Sequence, residues 1–200
     1  MTRGGVEWWK ERLGRLDDLF RADPSLGNFR VLTDEDEYVK RGTLAEPGAA
    51  ESDLAELEER LGIPLCPSYR ALLQASNGFG VFGLHVGKLL STKEVDWYSQ
   101  RNPDLARDIE SWLQEGPNKP PYPHDPEWRV DIPLRSIEIA EDFDACELIL
   151  LPKPASLGNE WQVWLGIVGV HDSHETLPDY IDHTIAGFEK RVRVGIDPAP

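Results

Sequence analysis

The densest group of polar side chains that could do chemistry lies in the segment HDSHETLPDYIDH, from residue 171 to residue 183. His171 and His174 have a His-x-x-His spacing, and carboxylates and a third histidine follow, so the segment could in principle bind zinc. The same residues follow an apolar strand pattern and precede a helix, where polar loop and capping residues are expected in any case. We therefore interpret the segment as a polar loop and predict no metal site.

The two cysteines, Cys66 and Cys146, do not form a CxxC pair. Cys66 stands directly before Pro67 at a predicted helix start, and Cys146 begins an apolar strand pattern. Thiols in such positions are usually buried and unreactive. Spacing alone leaves a Cys–His or Ser–His pair open, because catalytic partners meet in space and not in sequence. We expect two reduced thiols, as in a cytoplasmic protein.

Other enzyme motifs find no match in the sequence. The stretch from Gly83 to Lys88 resembles a phosphate-binding loop, but Leu89 stands where Ser or Thr is needed. The sequence has neither GxGxxG nor GxSxG. The many carboxylates fall on predicted solvated helix faces, so the sequence identifies no pair of carboxylates for acid–base catalysis. We predict that the protein is not an enzyme and needs no cofactor.

The charge is strongly negative, with 21 Lys and Arg against 36 Asp and Glu, a net charge of −15 over 200 residues. Residues 34–59 contain ten acids and two bases, a net of −8 and more than half of the excess. Such a field disfavours binding to nucleic acid or anionic lipid and speeds association with a basic partner. A solubilising surface is the simpler interpretation of the charge alone. The N-terminus lacks a signal-peptide pattern, and no apolar run approaches the roughly 18 residues of a membrane span. We predict a cytoplasmic protein.

The elements that must position these residues suggest an α+β fold. Helical patterns cover residues 6–22, 50–61, 67–77, a segment from Asn102-Pro103 onward, and 177–192. Strand patterns cover residues 132–140, 146–151 and 160–170, and a short edge strand is expected at 29–32. Ser91 or Thr92 is expected to cap a short helix through Trp97. Helices at both ends and strands between them predict an antiparallel sheet covered by helices.

We predict one domain with elaborations. Residues 1–44 form an N-terminal helix and an irregular segment packed on the core, and residues 45–194 form the main domain. That domain contains an insertion at 101–128, of which 117–128 is a proline-rich loop. Residues 195–200 are expected to be a frayed tail.

The segment from Pro47 to Gly80 carries a pattern of helix, Leu-Gly, a proline break, Ser-Tyr-Arg and Asn-Gly. This pattern resembles the signature of the SUKH superfamily. A weaker similarity continues through Trp161 to the last helix, so that the resemblance covers roughly residues 45–192. The signature residues are Leu54, Leu57, Glu58, Leu61, Gly62, Leu65, Pro67, Ser68, Tyr69, Arg70, Leu72, Leu73, Asn77, Gly78 and Trp161. Cys66 departs from the pattern, because the family usually has a proline there.

The resemblance implies a SUKH-like fold in which the signature residues are structural and the function is protein binding. The superfamily includes bacterial immunity proteins, which neutralise polymorphic toxins, and a fungal regulator of cell-wall synthesis. The acidic field favours an immunity protein for a basic toxin domain; the alternative is a regulatory or scaffolding protein that binds an endogenous host protein. The candidate contacts are Asp34, Glu35, Asp36, Glu37, Glu51, Glu56 and Glu59.

Overall fold

The structure, a computed structural model, describes residues 1–23, 26, 41–83, 86–115, 132–143, 146–153, 159–167 and 170–194. The predicted edge strand at 29–32, the proline-rich loop at 117–128 and the tail at 195–200 lie outside these ranges. Within them, no helix is long and apolar enough to cross a membrane.

Six helices are described, besides a short 3-10 turn at Pro133–Arg135 and isolated helical residues. They are α1 (Val6–Ala22), α2 (Glu51–Leu61), α3 (Pro67–Ala75), α4 (Tyr98–Arg101), α5 (Pro103–Glu115) and α6 (Leu177–Val194). Helix α2 ends at Gly62, whose φ of 71° is a left-handed conformation that glycine adopts without strain. Helix α3 begins at Pro67, where the missing N–H costs nothing.

The described strands form one antiparallel, six-stranded sheet. They are β1 (Val86–Leu89), β2 (Asp96–Trp97), β3 (Ile137–Phe143), β4 (Cys146–Leu151), β5 (Gln162–Ile167) and β6 (Val170–His174). The order is β1-β3-β4-β5-β6, and β2 also pairs with β3. The predicted α+β class, an antiparallel sheet covered by helices, is confirmed.

The main core lies between one face of the sheet and helices α1, α2, α3 and α6. Because side chains alternate along a strand, Leu148 and Leu150 enter this core whereas Ile149 faces the other way. Helix α1 belongs to the same core, since Trp9 and Phe20 are fully buried. Trp9 donates its indole N–H to the carbonyl of Ser68 at 2.8 Å, which fixes α1 against the start of α3.

A smaller apolar cluster covers part of the opposite sheet face. Ile149 on β4 contacts this cluster together with Tyr98 and with Ile109 of α5. Trp164, which lies opposite Ile149 on β5, packs against its edge. The sheet is therefore packed on both faces, and the predicted insertion contributes α5 to the second one.

Pro47 and Gly48 pass directly beside the end of α3. A Cβ atom at Gly48 would stand 2.0 Å from the carbonyl oxygen of Gln74, so only glycine fits there. The close approach lets the N–H of Ala49 donate to Leu73 O at 2.8 Å, and that of Asn77 to Pro47 O at 3.1 Å. The chain before α2 is thereby fastened to α3.

Three predicted elements are wrong in detail. The strand expected from Ile132 begins at Ile137, because Pro133, which has no N–H to give a strand ladder, starts a 3-10 turn. The helix expected through Trp97 is a turn followed by strand β2. The strand predicted at 160–170 is β5, but residues 171–174, predicted as part of a polar loop, belong to the antiparallel partner strand β6, so that His171 and His174 lie on a polar edge strand.

Candidate partner-binding surface

The two signature helices bury one face each. On α2, the leucines Leu54, Leu57 and Leu61 are buried in the main core. On α3, Tyr69 and its neighbours Leu72 and Leu73 have no exposed surface. Burial raises the pKa of the Tyr69 phenol well above its usual value. These leucines and Tyr69 thus hold the two helices on the sheet and are not accessible to a partner.

Arg70 connects the polar sides of these helices. Its guanidinium donates two hydrogen bonds to the carboxylate of Glu51, at 3.0 Å and 2.6 Å, and its Nε lies 3.6 Å from Glu58. The amide of Gln74 donates to Glu51 as well, at 2.6 Å. The hydrogen bond from Arg70 lowers the pKa of Glu51. Glu51, one of the predicted contacts, is therefore held by intramolecular bonds, although its side chain is 69% exposed.

The break between α2 and α3 is fixed by two further carboxylates. Glu58 accepts the N–H of Leu65 at 3.0 Å, and Glu160 accepts both the N–H of Ser68, at 3.2 Å, and its hydroxyl. Glu160 thereby satisfies a free donor in the first turn of α3. Burial raises the pKa of the neighbouring Cys66 thiol to about 11. The thiol is protonated at neutral pH and is a poor nucleophile there.

The segment that follows β1 is attached to both signature helices. Arg60 of α2 donates to the carbonyls of Thr92 and Val95, at 2.5 Å and 2.8 Å. Asn77 of the Asn-Gly pair accepts the N–H of Thr92 at 2.7 Å, and Trp97 donates its indole N–H to Leu61 O at 3.1 Å. Arg60 and Asn77, together with the carbonyl of Leu61, therefore position this segment.

Glu94 closes the turn in that segment. Its carboxylate accepts the N–H and the hydroxyl of Ser91, at 2.9 Å and 2.6 Å, and an N–H of Lys88 at 2.8 Å. Partial burial alone would raise the pKa of Glu94, but the bonds from Lys88 and Ser91 outweigh burial and lower it to about 2. Nothing in the sequence pattern singles out this residue, because the bonds from Lys88 and Ser91 form only when the turn is folded.

The other predicted contacts on α2, Glu56 and Glu59, are exposed on its outer side. Within the described ranges, neither carboxylate has a hydrogen bond or an ion pair with a neighbour. Some acids elsewhere are paired with arginines, as Asp182 is with Arg12 at 2.8 Å. The predicted contacts at 34–37 lie outside the described residues.

A buried ion pair at the start of the insertion was not predicted. Glu138 of β3, 5% exposed, accepts hydrogen bonds from Arg101 Nε at 3.0 Å and from Asn102 Nδ2 at 2.8 Å. A charged residue at a sheet position that faces protein is the only sequence signal, and it does not identify the partner. The pair fixes α4 and α5 to the back of the sheet.

The histidine-containing segment runs from β6 into α6. Thr176 and Asp179 form the start of the helix, with Thr176 Oγ1 donating to Asp179 Oδ2 at 2.6 Å. This bond, followed by one from Arg3, lowers the pKa of Asp179. In the described ranges, no group of three or more His, Cys, Asp or Glu side chains could hold a metal ion.

An apolar cleft of about 450 Å³ opens where the α2–α3 break meets the start of β5. Pro64, Pro67 and Pro152 line it together with Trp161. Cys66 also lines this cleft, but its thiol is protonated at neutral pH, so the lining offers shape and apolar surface to a ligand and no activated nucleophile.

These features define an α+β protein in which polar side chains of the signature helices serve packing and turn formation. A family model, the SMI1/KNR4 family (SUKH-1), matches residues 48–181. Because the match covers two thirds of the 200 residues, the chain belongs to the SMI1/KNR4 family. The family is generally non-catalytic, and membership is consistent with a protein-binding module that serves immunity or regulation. A comparison with curated proteins found no match.

Proposed function

We propose that the protein is an immunity protein that binds a cognate, basic toxin domain and blocks its active site. The observation that carries the proposal is the outer side of α2. There Glu56 and Glu59 are exposed and unmatched by any described cation, while the acids on the inner side are bound by Arg70. An exposed acidic face on a chain of net charge −15 attracts a basic partner over long range.

The protein would inhibit the toxin by covering its active site and not by catalysing a reaction. A toxin that acts on nucleic acid presents cations that normally bind phosphates, and a row of carboxylates competes for them. The rigid attachment of α2 to α3 by Arg70 favours this mode, because a pre-organised surface loses little conformational entropy on binding. The acids at 34–37, which precede α2 in the sequence, are proposed to extend the contact.

The test begins with affinity capture. The protein is immobilised through a tag, and a lysate of the native organism is passed over it at low and at moderate salt. We expect one basic polypeptide whose retention falls as salt rises. That polypeptide is then expressed in a surrogate host, with and without this chain. Immunity requires growth arrest by the polypeptide alone and growth when both are present.

The regulatory alternative predicts a different result in the same experiment. A retained host protein that does not arrest growth, and whose activity changes when this chain binds, would replace the immunity proposal. Retention that does not change with salt would contradict the proposal that the acidic face attracts the partner.

A further inference from the structure

The apolar cleft beside the α2–α3 break has the features of a pocket for one large side chain. Its floor is apolar, since Leu65, Cys66 and Trp161 are only 7%, 3% and 5% exposed. The exposed residues Pro64 and Pro67 form part of its wall. The volume of about 450 Å³ lies in the lower part of the usual range for ligand pockets, roughly 300–1,000 Å³.

The lining favours an apolar occupant over a polar one. A proline has no N–H, so Pro64, Pro67 and Pro152 offer a ligand no backbone donor. The described lining contains one cation, Lys153, whose Nζ lies 3.4 Å from the carboxylate of Glu175 and is therefore already engaged with an acid. What remains for a ligand is mainly apolar surface.

The backbone around the cleft is held in place before any ligand binds. Glu58 accepts the N–H of Leu65 at 3.0 Å, and Glu160 accepts the N–H of Ser68 at 3.2 Å. The rings of Pro64 and Pro67 fix their own φ angles. A pocket that is already formed loses little conformational entropy when it is filled.

Acidic residues stand at the edge of the cleft. Glu160 lies between two lining residues, Asn159 and Trp161, and Glu59 lies four residues before the lining residue Ile63. In the part of the chain that the structure describes, neither carboxylate has an ion pair with a cation. An apolar pocket with a charged rim is the arrangement found at the centre of many protein interfaces.

We propose that this cleft binds one large apolar side chain of the toxin domain, in a segment where lysine or arginine flanks that side chain. The inference rests on the proposed function for the identity of the partner. The apolar side chain would cover the lining of the cleft, and the flanking cations would meet Glu59 and Glu160. Exposed ion pairs contribute little to affinity, so the acidic face of α2 needs an apolar anchor of this kind to hold a partner.

The experiment titrates the full, nitrogen-15-labelled chain with capped pentapeptides and follows the signals of the Trp161 indole and the Leu65 amide by NMR. The probe is a tryptophan with two lysines on each side. One comparison peptide has glutamates in place of the lysines, and the other has alanine in place of the tryptophan. We expect the probe to shift both signals and to bind at least about tenfold more tightly than either comparison peptide.

A variant that fills the cleft provides the second test. Asn159→Trp, at an exposed position of the lining, should weaken binding of the probe about tenfold or more. Gln100→Trp is the matched control, because it replaces an exposed amide on α4 that does not line the cleft, and it should bind as the parent does. The Tm of each variant shows whether it is folded, and the peptide comparison on the parent chain decides the question without them.

Equal binding of the two tryptophan peptides would overturn the proposal, since the cleft would then accept an apolar group from any ligand. Signals of Trp161 and Leu65 that do not move would overturn it as well, and so would a folded Asn159→Trp chain that binds the probe as the parent does. None of these outcomes tests the immunity proposal. That proposal fails instead if the captured polypeptide does not arrest growth or is not neutralised by this chain.

Discussion

On helix α2, Glu51 and Glu58 face α3 and are held by Arg70, whereas Glu56 and Glu59 on the same helix face solvent. All four are glutamates within nine positions, yet the two pairs have different roles. The inner carboxylates position α3 and the chain that leads into it. The outer ones have no described partner, and their charge remains available to another molecule. In this fold an acidic residue therefore has to be judged by its neighbours and not by its type.

The largest effect is expected where α2 enters the core. Leu57→Ala should lower the free energy of unfolding by about 2–5 kcal/mol, because it leaves a cavity in a fully buried position. Glu56→Ala, one residue away on the outer side, should change it by less than about 0.5 kcal/mol. Urea denaturation of both variants measures the contrast. Equal losses would mean that α2 does not pack as described.

The inner carboxylates should have an intermediate effect. Arg70→Ala is expected to cost about 1 kcal/mol, a value reduced for solvent screening because Glu51 is largely exposed. Arg70→Lys should recover only part of the loss, since lysine cannot form the two-pronged bond. Arg107→Ala removes a largely exposed pair with Asp104 and should be nearly neutral in the same denaturation experiment. An unchanged free energy of unfolding in Arg70→Ala would contradict a stabilising role for the two hydrogen bonds from Arg70 to Glu51.

A smaller and pH-dependent effect is expected at Glu94. Its pKa in the folded chain is about 2, below the ordinary 4.5, so its contribution is complete above 4.5 and is lost as the pH falls toward 2. Glu94→Gln should therefore destabilise the protein by about 1 kcal/mol or less at neutral pH. The difference from the parent should shrink between pH 4.5 and about 2. Thermal unfolding across that range checks it; a difference that stays constant would exclude the ionised contact.

The sequence predicts the helices well because their signals are local. The apolar stripe of α1, the Gly62 stop and the Pro67 start each depend on a few neighbouring residues. Contacts between distant residues could not be predicted in this way. Glu138 with Arg101, and Arg60 with the carbonyl of Thr92, depend on how separate segments meet in space.

The polar edge strand shows the same limit. Strand β6 carries His171, Asp172 and Ser173, a composition typical of loops, and only its pairing with β5 makes it a strand. For the candidate surface, the sequence located the acids of α2 but could not separate inner from outer ones, because that difference is created by Arg70 of the next helix.

The most direct measurement is the affinity of the captured partner for the double variant Glu56→Lys/Glu59→Lys, at two salt concentrations. The account predicts parent-like Tm, since both side chains are exposed and without described partners, and binding weakened about tenfold or more with a smaller salt dependence. Asp108→Lys/Glu110→Lys, the same change of charge on two exposed residues of α5, is the control for net charge and should weaken binding much less. Unchanged affinity and unchanged salt dependence in the double variant would contradict the claim that the outer side of α2 binds the partner.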